Sequence, residues 1–565
     1  MRYPQLNGMR RRLWRFHGGL HLPERKSLSN SGSVTTAAIP DRLILPLQQH
    51  IGAAAVPLVE IGERVLKGQL IAKAQGYVSA PIHAPTSGSV VNLAELPVPH
   101  PSGLSSPCIV IETDGRDEWC ELPEPLENYA ELDRAVLRER VRWAGIVGMG
   151  GAAFPSSVKL NPGPDKPIHT LIINGVECEP YITCDDTLMR QRPGSILEGV
   201  GILQHLLGVE RCLIGIEDNK PEAVEALTRA AEQADLPGSV EVVRIPTLYP
   251  SGGEKQLIRV LTGMEVPSHG LPAQISIVCH NVGTTAAIAD AVLRGRPLIS
   301  RYVTLTGQGI AQPQNLEVLI GTPASELITQ AGGYRGEVEK LILGGPMMGI
   351  ALHTDAIPMT KAANCLLALS PEESPDPGAA VPCIRCGQCS QVCPANLLPQ
   401  QLYWHTRAKD LDKVQDYNLF DCIECGCCAH VCPAHIPLVQ YYRYAKTESW
   451  AREQEKRKAE HARQRHAARQ ARLERQEQER KAKLRKKKAA LEQKPSGTAG
   501  DPKKAAIEAA RKRAAAKKAA MAKQGVQPQN VDNLTPAQQK QVEAAEARRR
   551  TAKQPTEKPV AASEE

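Results

Sequence analysis

No run of 18 consecutive apolar residues occurs in the 565-residue chain, so the sequence offers no candidate membrane-spanning helix. Its first 25 residues, MRYPQLNGMRRRLWRFHGGLHLPER, are basic but lack the apolar stretch of a secretory signal, and a cytoplasmic body is expected. Aromatic residues are only 4% of the chain and none follows Trp450, which removes base stacking as a means for the C-terminal region to hold single strands. Acidic residues are short in that same region. Residues 445–565 hold 32 of the 69 Lys and Arg but only 16 of the 61 Asp and Glu, leaving 37 basic and 45 acidic residues before them. The chain is therefore a mildly acidic body with a basic tail, and only the tail invites anionic partners. At this length one core does not suffice, and three or four domains are expected.

What the sequence has in excess is cysteine in one place. Nine of the 16 cysteines lie between Cys383 and Cys432. A secreted disulfide framework spreads its cysteines in pairs through a small fold, so a dense block in a long chain points to metal in a reducing compartment. The block contains the same pattern twice, CIRCGQCSQVCP (383–394) and CIECGCCAHVCP (422–433). Each is Cys-x2-Cys-x2-Cys-x3-Cys-Pro, the run in which three thiolates wrap one cubane and the fourth ligates the neighbouring one. Cys383, Cys386, Cys389 and Cys432 are thus expected around one [4Fe-4S] centre, and Cys422, Cys425, Cys428 and Cys393 around a second. Structural zinc needs two separated Cys-x2-Cys pairs per metal and no third cysteine, which disfavours it. Cys427 is left over and reads as a buried bystander.

Residues 1–40 form an N-terminal segment. Over 41–100 short apolar runs alternate with turn signals around Gly62, Gly68 and Gly88, the pattern of small strands joined by tight turns. This region resembles a biotinyl/lipoyl-type barrel-sandwich domain. AKAQGYVSAP around Lys73 lacks the setting of a carrier lysine, so a structural or docking role is the better reading. From 128 to 300 helical periods alternate with TLIING (170–175), RCLIGIED (211–218) and VEVVRIP (240–246), expected as buried parallel strands with a Pro221-initiated helix between the last two. Residues 301–345 turn strand-rich, SPEESPDPGAAVP (370–382) reads as a linker, and the cysteine domain is expected over 372–440. From 445 to 565 the composition collapses to Ala, Lys, Arg, Glu and Gln, a solvated helix or disorder.

GIVGMGGAAFPSSVKL (145–160) is neither a G-x-G-x-x-G fingerprint nor a Walker loop, but its glycines allow close backbone approach to a phosphate or a flat ring. Three further polar or glycine-rich segments follow: NGVECEPYITCDD (174–186) at a strand end, YPSGGEKQLI (249–258) and HNVGTTAAIAD (280–290). Together these are similar to the flavin- and NADH-binding subunit of respiratory complex I, which has the same Gly-x-Gly-Gly-Ala-x-Phe-Pro frame. With FHGGLHLPERK near the start, GGPMMG (344–349) and the cysteine repeats, residues 15–440 resemble the RnfC/RsxC family, a component of the Rnf (Rsx) ion-translocating electron transport complex. The resemblance implies a multidomain α/β fold: a barrel-sandwich hybrid, a Rossmann-like flavoprotein-type domain, a β-grasp segment over 301–345, a two-cluster ferredoxin domain and a disordered or helical tail.

It also implies site residues. The flavin phosphate and ring fall on Gly148, Gly150, Gly151 and Lys159, with Asn174, Glu177 and Asn281 about the isoalloxazine and ribityl. Tyr249 and Gly253 belong to the same cofactor site, Phe154 matches the aromatic that packs on the nicotinamide dinucleotide, and Glu179 and Glu254 line that site. Two positions depart from the complex I loop: Val176 replaces an Asp and Ala153 replaces a Gly. The function implied is that of a peripheral subunit, on the cytoplasmic face of the bacterial inner membrane, that takes electrons from NADH through FMN and two [4Fe-4S] clusters. Its complex would couple transfer between NADH and ferredoxin or another acceptor to ion translocation. Its partners would be integral membrane and flavin-bearing subunits of that complex, with no specific nucleic acid. The alternative is a soluble iron–sulfur oxidoreductase, or a relay subunit without its own NADH site.

Overall fold

Four apolar runs, Thr170–Gly175 (β1), Arg211–Glu217 (β2), Ser239–Ile245 (β3) and Ile277–Asn281 (β4), pair as one parallel sheet in the order β3-β2-β1-β4. In this computed structural model, residues 12–163, 166–376, 378–492, 502–523 and 543–545 are described. The opening eleven residues and much of the expected tail therefore lie outside the described residues. β1 and β2 are buried along nearly their whole length, as central parallel strands are. β3 corrects the sequence expectation of burial: it is an edge strand with Ser239, Glu241 and Arg244 exposed. The return helices include Cys184–Gln191 (α1), Pro221–Gln233 with proline in its first turn, Glu254–Thr262 (α2) and Val282–Leu293 (α3).

This strand order creates a crevice. From β1 the chain steps outward to β2 and β3, then crosses back to place β4 on the other side of β1. In open α/β sheets ligands bind outside the strand C-termini where the order reverses. Asn174 at the end of β1 and Asn281 at the end of β4 are paired in register across that point.

The region before this sheet folds as two small β-layers, one of four strands and one of three. Its core residues Leu43, Ile71 and Ile109 belong to the same apolar cluster as Leu171, Ile214 and Ile288 of the α/β layer, so the two regions share one core. Lys73 closes a strand and pairs with Val56. A six-stranded sheet follows in space, built from Thr35–Thr36, Gln314–Leu319, Ser300–Thr306, Cys365–Leu369, Lys340–Leu343 and Ile350–Leu352, with helix Ala324–Gln330. This sheet runs past the expected limit of 345. Cys365–Leu369 is buried at every position and is a central strand, and Thr35–Thr36 joins from the N-terminal segment.

The cysteine domain has internal symmetry down to the backbone. Arg385 and Glu424, Gly387 and Gly426, and Asn396 and His435 occupy equivalent places in the two repeats, and all six have left-handed φ between 50° and 80°. Its core contains Leu402, Tyr403, Leu419 and Tyr442, and the Tyr442 hydroxyl donates to the Pro399 carbonyl at 2.8 Å. Tyr442 sits in the first turns of a helix spanning Leu438–Glu492. The chain divides into two units at Arg457/Lys458. In the second unit, the rest of that helix and Pro502–Lys523 are helical, and their described side chains are almost all exposed. No described helix is long and apolar enough to cross a membrane.

Candidate functional site

The glycine loop folds as a tight turn over the end of β4. The Gly148 amide donates to the Phe154 carbonyl at 2.8 Å, Val147 bridges Pro155, and the Met149 amide donates to the Thr284 hydroxyl at 2.9 Å. Gly150 lies so near that an added Cβ would sit 3.3 Å from the Asn281 Cβ, while a Cβ on Gly151 would meet nothing within 4 Å. Gly151 therefore presents bare backbone to open space, with φ +128°. Ala153 has φ +48°, in the left-handed region that glycine tolerates at least cost.

Two helix N-termini converge on the same crevice. Asn281 caps α3, its Oδ1 accepting from the Gly283 and Thr284 amides at 2.8 and 3.3 Å, while its Nδ2 donates to Asp185 Oδ2 at 2.6 Å. Gly253 is the N-cap of α2, and Asn174 Nδ2 donates to the neighbouring Gly252 carbonyl at 2.8 Å. Lys159 and Glu254, which the sequence reading assigns to phosphate and to dinucleotide respectively, form one ion pair at 2.5 Å. Lys159 Nζ also donates to the Cys279 carbonyl at 3.0 Å. Burial alone lowers the Lys159 pKa, but the Glu254 carboxylate outweighs it and holds the ammonium above its ordinary value.

Glu177 and Glu179 meet different partners. Glu177 is buried and caps α1: its carboxylate accepts from the Asp185 and Asp186 amides at 2.8 and 3.3 Å. Unpaired amides at a helix start draw a carboxylate. Glu179 faces the 344–349 loop, accepting from the Met347 and Met348 amides at 3.2 and 2.8 Å. Burial pushes its pKa up to about 7. Phe154 is half-buried beside the glycine loop.

Tyr249 links this crevice to the cysteines. It is buried, and its hydroxyl donates to the carbonyl of Cys425 at 2.7 Å, with Glu179 Oε1 the more distant partner at 3.4 Å. Around it Cys425, Cys427, Met347, Leu20, Leu22 and Ile423 form one apolar seam. Gln256 Nε2 donates to the Pro394 carbonyl at 3.3 Å, and Lys255 pairs with Asp421 at 3.1 Å.

The eight cysteines fall into two groups. Cys383, Cys386, Cys389 and Cys432 line one hollow, with Ile384, Arg385 and Tyr403. Cys393, Cys422, Cys425 and Cys428 line the other, with Cys427 fully buried beside them. Four thiols from two distant chain segments around each hollow are the donor set of a [4Fe-4S] cluster. For a flavin phosphate the fit rests on the two helix N-termini, the open backbone at Gly151 and His280. The His280 ring is buried at the end of β4, and its Nε2 has no hydrogen-bond partner among the described residues. Burial, then the nearby Lys159 charge, lowers the His280 pKa to about 3, so the ring is neutral.

The sequence alone gives no role to the N-terminal segment or to GGPMMG. His17 Nδ1 lies 2.9 Å from the Cys393 carbonyl, the Gly19 amide donates to Val392, and Leu20 pairs with Tyr249. Lys26 is buried and its ammonium donates to the carbonyls of Glu177, Glu179 and Ile182 at 2.8, 3.0 and 2.6 Å. Unusual motifs such as FHGGLHLPERK are the signal, but nothing local says what they touch.

Comparison with known families agrees with this layout. The RnfC barrel sandwich hybrid domain matches residues 14–116, the Nuo51 FMN-binding domain 141–290, the SLBB domain 302–351 and the 4Fe-4S dicluster domain 382–436. FMN and [4Fe-4S] clusters are thus the cofactors of this multidomain chain. Among curated proteins, the C component of the ion-translocating oxidoreductase complex of Pseudomonas aeruginosa is 52% identical over 467 residues, 83% of this chain and 60% of that protein. Its namesake from Haemophilus influenzae strain PittEE is 45% identical over 466 residues, 82% of this chain and 71% of that one. The chain spans about three fifths of the length of the first of these. A solved NAD+-reducing [NiFe]-hydrogenase in the H2-reduced state aligns with TM-score 0.42 at 19% identity, covering 56% of this chain and 63% of that one.

Proposed function

Because the chain belongs to the RnfC family of ion-translocating oxidoreductase complex components, we propose that it takes electrons from NADH at the β1/β4 crevice and passes them singly along two [4Fe-4S] clusters to its complex. Bound FMN supplies the conversion between a hydride, which carries two electrons, and clusters that accept one each. The remaining roles belong to the chain. Gly148, Gly150 and Gly151 with Asn174 give the ring a flat backbone floor. Asn281, the start of α3 and Lys159 supply the positive end for the phosphate, and the neutral His280 ring offers an uncharged hydrogen-bonding group beside it. Phe154, Glu254 and Gly253 edge the dinucleotide side. Glu179 and the 344–349 loop exclude water from the passage between crevice and cysteines.

One observation carries the order of the clusters: the Tyr249 hydroxyl on the Cys425 carbonyl, 2.7 Å apart, joins the crevice loop to a cysteine of the second group. Cys393, Cys422, Cys425 and Cys428 therefore hold the proximal cluster, and Cys383, Cys386, Cys389 and Cys432 the distal one. The α/β layer is read as Rossmann-like and the six-stranded sheet as β-grasp-like. The protein would work peripherally at the cytoplasmic face of the inner membrane, among membrane-embedded subunits that couple electron flow between NADH and ferredoxin or another acceptor to ion movement. The test is anaerobic purification of the full chain, assay of iron, sulfide and flavin, and EPR before and after NADH. Bound FMN with NADH-reducible cubane signals supports the reading. Clusters reducible by dithionite but not by NADH would make the chain a relay fed from elsewhere.

A further inference from the structure

The two cysteine hollows are closed by different things. The Cys425 side is covered by Tyr249, Met347 and Ile423, and Gly426 is so close to the Met347 carbonyl that a Cβ would lie 2.8 Å from it. The first hollow has no such cover among the described residues. Cys386 is exposed, and Val381 and Ile384 about the first repeat are 51% and 67% exposed. Apolar side chains bared beside a redox ligand mark a contact surface, because a partner seated there both shortens the electron path and covers them.

Charge indicates what kind of partner. From residue 381 to residue 409 the chain contains Arg385, Arg407 and Lys409 and no Asp or Glu. All three cations are exposed. Arg385 lines the first hollow, and Arg407 Nη1 is 3.4 Å from the hydroxyl of Tyr403, which lines it too. In the second repeat Glu424 stands where Arg385 does, and it is paired with Arg443 and Lys446 at 2.8 and 2.7 Å. The acid-free repeat is the one with the bared cysteine.

We propose that the surface around Cys386, made of Val381 and Ile384 with Arg385 and Arg407, docks a one-electron redox protein whose cofactor is rimmed by acidic residues. The step is the passage of a single electron from the reduced distal cluster to the oxidised centre of that partner, with no bond or proton transferred. The proposal rests on the electron path above for its direction, and its test bypasses the NADH site.

The full chain, reduced with dithionite and desalted anaerobically, is mixed in a stopped-flow instrument with cytochrome c in its native basic form or its succinylated acidic form. The acidic form should be reduced at least about tenfold faster at low salt, with the advantage shrinking as ionic strength rises. Arg407→Glu, outside the cysteine loop, should remove most of that advantage, and Val381→Ser, at an exposed position that does not line the hollow, should slow the acidic form while iron and sulfide content stay unchanged. Lys413→Glu, an exposed lysine paired with Asp416 on a separate helix, should leave the ratio as it is. Equal or faster reduction of the basic form, or a ratio unmoved by Arg407→Glu, overturns the proposal. Should Arg407→Glu lose iron, the Val381→Ser rate decides instead. If NADH fails to reduce the clusters while this discrimination persists, the input reading falls and the docking face stands.

Discussion

The two cysteine repeats share spacing, trailing proline and three left-handed backbone positions, yet their surroundings are opposite. Cys425 is 7% exposed, against Tyr249 and Met347, whereas Cys386 is exposed. Arg385 reaches no acid in its own repeat, whereas its counterpart Glu424 is held by two cations. The lesson is that the repeat satisfies the local demand of gathering four thiols, and the neighbours decide which hollow is sealed and which stays open.

The harshest way to break the comparison is to remove one ligand from each repeat. Cys425→Ser should cost about half the iron and leave the surviving cluster beyond the reach of NADH. Cys386→Ser should cost a similar share of iron but keep a cluster that NADH still reduces, and iron assay with EPR checks both. Next comes glycine. Gly387 and Gly426 both have φ +80°, so alanine at either carries a left-handed penalty of about 1–2 kcal/mol. Only Gly426 also faces the Met347 carbonyl, so Gly426→Ala should destabilise by roughly 1–3 kcal/mol more than Gly387→Ala, read by anaerobic thermal unfolding.

A smaller effect comes from Glu179, which belongs to the sealed side alone. Its folded pKa of about 7 lies above the ordinary value of 4.5, so between these limits the folded state binds more protons than the unfolded one. This group's contribution therefore falls as pH rises from 4.5 to 7. Glu179→Gln should flatten that part of the stability profile by on the order of 2 kcal/mol, with denaturant melts at about pH 5 and about pH 7.5 as the measurement. Smallest is Tyr249→Phe, which keeps the ring and loses one hydrogen bond. About 1 kcal/mol of stability is expected to be lost, read as a lowered midpoint of anaerobic denaturant unfolding.

Much of this is legible in the sequence. The cysteine spacing carries its own geometry, and the structure groups the eight thiols as the crossed pattern requires. TLIING forms β1 and Pro221 opens its helix, because apolar run length and proline position act locally. Partner choice does not show. Cys365–Leu369 escapes notice because a five-residue apolar run does not say which strands will flank it, and only pairing with Ser300–Thr306 and Lys340–Leu343 makes it central. Glu177 and Glu179 look alike in NGVECEP, but one meets a helix start and the other the 344–349 loop. Lys159 and Glu254, far apart in sequence, are brought together by the fold as an ion pair.

The most direct test is the order in which the clusters fill. The full chain is mixed with NADH and freeze-quenched over a time series, and the Cys386→Ser variant identifies which EPR signal belongs to the proximal cluster. The account predicts that the proximal signal appears first and the distal signal grows in behind it. A distal signal that leads, or reduction of the Cys425→Ser variant at the unsubstituted rate, would contradict the path through Tyr249 and Cys425.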